Sequence, residues 1–282
     1  MSKHLVRFVQ LFLCIKLSMP VLAPAASAED ARSLTKVSGA VYRARSNHHY
    51  SLVVVTSAGV VVVDPINTTA ASWLRENLGT ITDKPITHLI YSHSHGDHAS
   101  GGAALGAGTV IAQANAPATI DGVAPTKRFE ESMNLTVGGK TFELTYLGKG
   151  HGADLTAVVV WPENVAFIVY VAAPKRMPYR DFPGSDIDAW IEQIRKVASL
   201  KFDIFAPGHG AVGVKADATA ARVYMQKLRS QVLAGLKAGK SVDDLARDVT
   251  MKEYSDWQQY KAWGELNVRG MASYLMSNGK VK

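Results

Sequence analysis

The sequence predicts an α/β protein in which two β-sheets pack face to face, with helices outside them. Each half of the chain has a segment of short β runs followed by residues with helical spacing, the pattern expected for two helix-covered sheets. Of the 282 residues, 47% are hydrophobic and 20% are charged, which excludes disordered and fibrous proteins. No change in composition marks a linker, so we expect a single domain over residues 29–282.

The first 28 residues carry an export pattern rather than part of the fold. Lys3, Arg7 and Lys16 accompany apolar stretches, and an A-x-A site occupies residues 26–28. We predict a secretory signal peptide removed after residue 28, and a periplasmic or secreted mature protein. A retained membrane anchor is the alternative, but Lys16 interrupts the apolar run that a spanning helix needs. The lone Cys14 lies in this segment, so the mature chain has neither disulfides nor thiolate chemistry.

The first half of the mature chain contains strands with one helical segment between them. Ala58-Gly59 is a hairpin turn signal, and helical spacing begins after Asp64-Pro65 and continues around residues 73–78. The β runs expected in this half lie at residues 37–45, 50–56, 60–64 and 86–91.

The second half repeats this plan and adds a helical end. The β runs expected here lie at residues 141–147, 155–161, 165–171 and 203–206, with a helix at residues 188–200. A C-terminal helical segment is expected at residues 217–278. We expect its aromatic residues Trp257, Tyr260 and Trp263 to pack against the core rather than to form a ligand surface. No basic run indicates nucleic-acid binding, and no stable membrane anchor is expected.

The motif H-x-H-x-D-H at residues 93–98 directly follows the β run at residues 86–91. In an extended chain, residues two apart point to the same side, so His93 and His95 can aim at one point. Gly96 permits a sharp turn that brings Asp97 and His98 beside them. Imidazoles and carboxylates are ligands that a borderline divalent ion such as zinc accepts.

Two further histidines stand in glycine-flanked turns after β runs. His151 lies in Gly-His-Gly after the run ending at Leu147, and His209 lies in Pro-Gly-His-Gly after the run ending at Ala206. A single such histidine is ordinarily structural. Five histidines at strand-to-loop junctions, three of them within six residues, favour a metal site instead.

Through these three motifs, in this order, residues 34–212 resemble the metallo-β-lactamase superfamily. The resemblance implies an αββα sandwich of two mixed sheets with a metal site at one edge. It also implies two zinc ions, the first held by His93, His95 and His151. The second would be held by Asp97, His98 and His209.

Two residues around this ligand set have open roles. Asp64, at the end of a β run, would orient the histidine loop without binding metal, or would simply form a turn before Pro65. Most hydrolases of this superfamily carry a metal-bridging aspartate where Tyr170 stands here. The subclass of metallo-β-lactamases with an all-His/Asp ligand set also lacks that carboxylate. Tyr170 either fills core space or uses its hydroxyl in the site.

The resemblance implies a hydrolase that activates water with zinc and attacks an amide or ester carbonyl of a small molecule, with β-lactams or lactones as first substrates. Asp97 would orient the attacking water and accept its proton. The alternatives are an iron-dependent oxygenase of sulfur species and a non-catalytic metal-binding periplasmic protein.

Other polar residues are assigned less directly. His48 and its neighbour His49 would line the mouth of the site or lie on the surface, and the surface is favoured because they lack flanking glycines. Arg176, Tyr179 and Arg180 would contact an acidic substrate group or belong to a solvated loop, which is the default.

Overall fold

Two mixed β-sheets organise the structure, a computed structural model that describes residues 31–150 and 152–282. Residues Ala31–Lys282 form one compact unit. The predicted signal peptide and its cleavage site lie outside the described residues, and so does His151. Among the residues described, no helix has the length and apolar character needed to cross a membrane.

The first sheet has seven strands that pair in chain order. They are β1 (Arg32–Ser38), β2 (Val41–Ser46), β3 (His49–Thr56), β4 (Gly59–Val63), β5 (Ile86–Ile90), β6 (Thr109–Gln113) and β7 (Lys127–Phe129). The first four strands pair antiparallel, and β4 to β7 pair parallel. Because β4 and β5 are parallel, the residues that follow them meet at one edge of the sheet.

The second sheet has six strands, in which β11 and β12 pair parallel and the other neighbours pair antiparallel. In sheet order they are β8 (Ser132–Val137), β9 (Lys140–Tyr146), β10 (Thr156–Trp161), β11 (Val165–Ile168), β12 (Ile204–Pro207) and β13 (Gly213–Val214).

Helices cover the outer faces of the sheets. They are α1 (Thr68–Asn77), α2 (Gly96–Ala99), α3 (Gly102–Leu105), α4 (Ile187–Ser199), α5 (Lys215–Lys237), α6 (Val242–Asp248) and α7 (Tyr260–Ser277), with 3-10 turns at Leu78–Thr80 and Lys252–Tyr254. The N-terminus of α1 is capped by Asn67, whose side chain accepts from the Ala70 N–H at 2.9 Å. The N-terminus of α4 is capped in the same way by Asp186.

The valine run of β4 explains why the sheets stack. Val61 and Val63 pack between the two sheets with Phe142 of β9. Val60 and Val62 pack on the opposite face, beneath α1. Successive residues of a strand point to opposite faces, so an unbroken apolar run requires cover on both sides. The outer face of the second sheet packs against α4, α5 and α7. The predicted αββα sandwich is confirmed.

Several predicted element bounds were wrong. The run at residues 37–45 is divided by a turn at Gly39, whose φ is +50°. The run at residues 165–171 ends at Ile168. Strands β6, β7 and β8 were not predicted. β6 and β7 are only five and three residues long, too short for periodicity to distinguish them from apolar loop.

Candidate metal centre

Asp64 anchors the loop that carries the histidine motif. It follows β4, is fully buried, and has φ +63°. Its Oδ1 accepts from the Ser92 backbone N–H at 2.7 Å, and its Oδ2 accepts from the Ser92 hydroxyl at 2.6 Å. The same Oδ2 lies 3.3 Å from His98 Nδ1. One carboxylate therefore fixes both the start of the loop and the ring of its last histidine.

Hydrogen bonding assigns the tautomers of two histidines. The Ser92 hydroxyl gives its proton to Asp64, so at 2.9 Å it accepts from His93 Nδ1. His209 Nδ1 lies 3.0 Å from the backbone carbonyl of His48, which can only accept. In both rings the proton is therefore on Nδ1, and Nε2 carries the lone pair. These are the tautomers in which Nε2 can bind a metal.

Two lone-pair nitrogens then face one another. His98 Nε2 lies 3.0 Å from His209 Nε2, and the carboxylate beside His98 Nδ1 favours a proton on that atom. Burial, with the nearby His98 and His49, lowers the pKa of His209 to about 3, so this ring is neutral at neutral pH. In the His98 tautomer that Asp64 favours, two lone pairs converge, and a cation between them would relieve their repulsion. The residues present fit a metal ion at this point.

The full donor group contains three imidazoles and one carboxylate. Its ligand atoms, which all lie within 4.8 Å of one another, belong to His49, Asp97, His98 and His209. Burial disfavours the charged form of Asp97, but a hydrogen bond from His49 and the nearby His98 hold the pKa of this carboxyl well below its usual range. An ionised carboxylate together with imidazoles is a donor set that zinc accepts.

The remaining predicted ligands lie beside this group. The rings of His93 and His95 are 4.8 Å apart; His93 is buried and His95 is exposed. Gly152 passes close to His95, because a Cβ at Gly152 would stand 3.7 Å from His95 Nε2. Gly152 therefore lies next to the H-x-H pair, and His151 is outside the described residues.

Tyr170 lies among the histidine rings. Its ring centroid is 4.9 Å from that of His209, 5.2 Å from that of His93 and 5.5 Å from that of His98. The Val171 N–H donates to the Val169 carbonyl at 2.7 Å, which makes Tyr170, with φ +61°, the centre of a three-residue turn. A tyrosine is rarely held at this φ, and such strain concentrates at functional sites.

His49 is the site residue that sequence reasoning missed, since the surface assignment favoured for the pair was wrong for this residue. The pairing of strands explains its position: β3 runs antiparallel to β4, so His49 at the start of β3 lies at the edge where β4 ends and Asp64 follows. The predicted hairpin turn at Ala58-Gly59 already implied this antiparallel pairing, and so could have indicated the position of His49. The side chain of His48 is exposed at the mouth of the site.

Arg43 supports the loop of His209 and was also missed. It is 5% exposed, and it donates to the carbonyls of Pro207 at 2.8 Å and Gly210 at 3.0 Å. Its guanidinium stacks on Tyr50, 3.5 Å from the ring centroid. Burial lowers its pKa to about 10, which leaves the side chain cationic at neutral pH. Arg43 thus ties the two ends of the His209 loop to β2.

Comparison with known proteins identifies the family. Residues 45–209 match the family model of the Metallo-beta-lactamase superfamily. The chain belongs to this superfamily. Among curated proteins, the 2,4-dinitroanisole O-demethylase subunit alpha of Nocardioides sp. (strain JS1661) is 26% identical over 82% of this chain and 73% of that protein. The Metallo-beta-lactamase type 2 of Elizabethkingia meningoseptica is 33% identical over 39% of this chain and 46% of that protein.

Solved structures with low sequence identity show the same fold. The metallo-beta-lactamase from Pontibacter korlensis superposes with a TM-score of 0.58 at 19% identity, covering 70% of this chain and 99% of that one. The sec-alkylsulfatase Pisa1 from Pseudomonas sp. gives a TM-score of 0.67 at 16% identity, covering 87% of this chain and 50% of that one. The C-terminal helices begin at Lys215 and occupy about a quarter of the chain. Because the alkylsulfatase match covers 87% of the chain, it must include part of these helices.

A cavity of about 650 Å³ opens from the metal centre of this superfamily member toward its C-terminal helices. The polar end is lined by His49, His95, Asp97 and His209, and the apolar walls include Met177, Trp190, Ile194, Met225 and Trp263. Apolar walls with a few polar groups at one end are typical of sites for small molecules.

The aromatic residues of the C-terminal segment pack against the core as expected: Trp257 is buried, and Tyr260 and Trp263 are partly buried against the same cluster. Trp263 also lines the cavity. Arg176 and Tyr179 line it too, and the Tyr179 side chain is 48% exposed. The Arg176 guanidinium lies over Trp263 at 5.0 Å from the ring centroid and donates to Gln258 at 3.2 Å. Arg180 is exposed and outside the cavity lining.

Proposed function

We propose that this protein is a zinc-dependent hydrolase that cleaves an ester or amide bond in a small, largely apolar molecule, with β-lactams and lactones as the first substrates to test. The observation that carries the proposal is the His/Asp donor group at the polar end of an apolar cavity. In this proposal Asp97, His98 and His209 would hold one zinc ion, and His93, His95 and His151 would hold a second.

Each residue of the proposed site has a separate role in hydrolysis. Zinc, when bound, supplies Lewis acidity and a water molecule with a pKa near 7. Asp97 has a side chain that is 40% exposed and reaches the cavity, so it can orient the attacking water and accept its proton. Asp64 and Arg43 hold the ligand loops in place. Met177 and Trp263 present apolar surface to the substrate.

Zinc content and hydrolysis of a substrate panel test the proposal. The purified protein is expected to contain about two zinc ions per chain and to hydrolyse a chromogenic β-lactam, a lactone or a nitrophenyl ester. His95→Ala is expected to remove one of the ions and to abolish turnover, because His95 is a proposed ligand at the cavity. His88→Ala is the control, since this histidine lies within β5 and contacts Thr87 at 2.8 Å. A folded protein that binds no zinc would contradict the proposal.

A second candidate reaction is the hydrolysis of an activated aryl methyl ether. It is favoured by the alignment with the 2,4-dinitroanisole O-demethylase subunit alpha, which spans 82% of this chain, whereas the metallo-beta-lactamase alignment spans 39%. Adding 2,4-dinitroanisole to the panel separates the two, because ether cleavage would release coloured dinitrophenolate. Zinc binding without turnover of any compound would instead support the non-catalytic alternative.

The apolar wall should control affinity for aromatic substrates. Trp263→Leu is expected to raise KM for an aromatic ester roughly fivefold and to leave kcat within about twofold, because an aromatic contact contributes on the order of 1 kcal/mol. Trp73→Leu on α1 is the matched control, since Trp73 packs on the opposite side of the sandwich. An equal effect in both variants would show that the change in KM does not arise in the cavity.

A further inference from the structure

His49 reaches the metal centre from a strand that carries none of the predicted ligands. It is the first residue of β3, and its side chain is 30% exposed. Its Nε2 lies 3.3 Å from Asp97 Oδ2, and its ring centroid is 4.7 Å from that of His209 and 5.3 Å from that of His98. Its ligand atom belongs to the group of four that lie within 4.8 Å of one another.

We propose that His49 is itself a ligand and completes a four-donor site with Asp97, His98 and His209. The proposal rests on the metal chemistry of the proposed function. Zinc prefers four ligands in a tetrahedral arrangement, and a catalytic site leaves one of these positions to water. Asp97, His98 and His209 supply three donors, and His49 supplies the remaining donor of the group. A fourth imidazole from β3 closes the site without a ligand from the loop around residue 151. The superfamily resemblance does not assign this role to His49.

The contact between His49 and Asp97 permits a second interpretation. A histidine that donates to a carboxylate can simply orient that carboxylate while the carboxylate binds the metal. The two roles differ in what the side chain must provide. An orienting residue needs only an N–H aimed at Asp97 Oδ2, whereas a ligand needs a lone pair aimed at the ion. Glutamine at this position can supply the N–H but is a poor zinc ligand.

Zinc affinity of three variants distinguishes the two roles. Competition with a chromogenic chelator measures the affinity of each site in the full protein without substrate. His49→Ala and His49→Gln are both expected to weaken one zinc site by roughly 100-fold, because one of four donors is lost. His48→Ala should bind like wild type, because His48 contributes its backbone carbonyl, which the substitution keeps. Near-wild-type affinity in His49→Gln would overturn ligation.

The visible spectrum of the cobalt-substituted protein gives an independent readout. The d–d bands of Co²⁺ depend on the number and geometry of its donors, so His49→Gln should change their intensity and position, and His48→Ala should not. An unchanged spectrum in His49→Gln would also overturn the proposal. Circular dichroism shows whether each variant is folded. If His49→Ala does not fold, His49→Gln still tests the proposal.

The outcomes separate this inference from the proposed function. If His49→Gln loses zinc affinity but wild type hydrolyses no substrate, His49 is a ligand and the proposed function fails. If wild type hydrolyses a substrate and His49→Gln binds zinc normally, the function stands and the inference fails.

Discussion

Asp64→Ala is expected to lower the free energy of unfolding by about 3–5 kcal/mol and to weaken zinc binding by about 10- to 100-fold. Two buried donors of Ser92, its backbone N–H and its hydroxyl, would lose their acceptor. The carboxylate beside His98 Nδ1 would disappear as well, so the ring of His98 would no longer be oriented. Alanine is also strained at the φ of +63° that Asp64 adopts.

Denaturant unfolding of the metal-free protein and zinc competition measure the two effects separately. Asp64→Asn is the matched control because asparagine tolerates positive φ and keeps an oxygen for the Ser92 backbone N–H. It should retain most of the stability but not the zinc affinity, because an amide in place of Oδ2 cannot serve as the acceptor facing His98. A loss of stability below 1 kcal/mol in Asp64→Ala would contradict the anchoring role.

Trp190→Ala is expected to destabilise the protein by about 3–5 kcal/mol, which corresponds to a fall in Tm of roughly 10 °C. Trp190 on α4 is 2% exposed and packs edge-to-face on Phe182, with ring centroids 5.6 Å apart. Its indole N–H donates to the Val171 carbonyl at 2.8 Å. The truncation would open a cavity between α4 and the second sheet and leave that carbonyl without its donor.

Trp190→Phe tests the hydrogen bond apart from the packing. Phenylalanine keeps most of the buried ring but has no N–H, so we expect a loss of about 1–2 kcal/mol. Because the turn at Tyr170 ends at Val171, this variant should also lower kcat if Tyr170 belongs to the site. Thermal unfolding of both variants checks the order of the effects. Equal Tm values for Trp190→Ala and wild type would contradict the proposed packing role of Trp190.

Much of the candidate site could be predicted because its chemistry is local in sequence. The H-x-H-x-D-H motif begins three residues after β5, and the glycine-flanked His209 begins two residues after β12. Parallel neighbouring strands end at the same edge of a sheet, so histidines that follow them can converge. Asp64 ends β4 for the same reason, and the structure places it against Ser92 and His98.

The residues that sequence reasoning missed depend on contacts between distant segments. His49 joins the donor group because β3 and β4 pair antiparallel and bring its strand start to the metal edge. Arg43 donates hydrogen bonds to carbonyls that lie more than 160 positions away in the sequence. The aromatic spacing around Trp263 is typical of core packing, which the structure shows, and the docking of α7 beside α5 also places this residue in the cavity wall.

The sequence by itself determined the αββα class and the donor types of the metal centre, because hydrophobic periodicity and strand-end histidines are encoded within short windows. The tertiary structure decided which donors share one point and which apolar side chains form the cavity. Those properties depend on strand pairing and helix docking across the whole chain, and burial of apolar surface, rather than local spacing, selects among the possible arrangements.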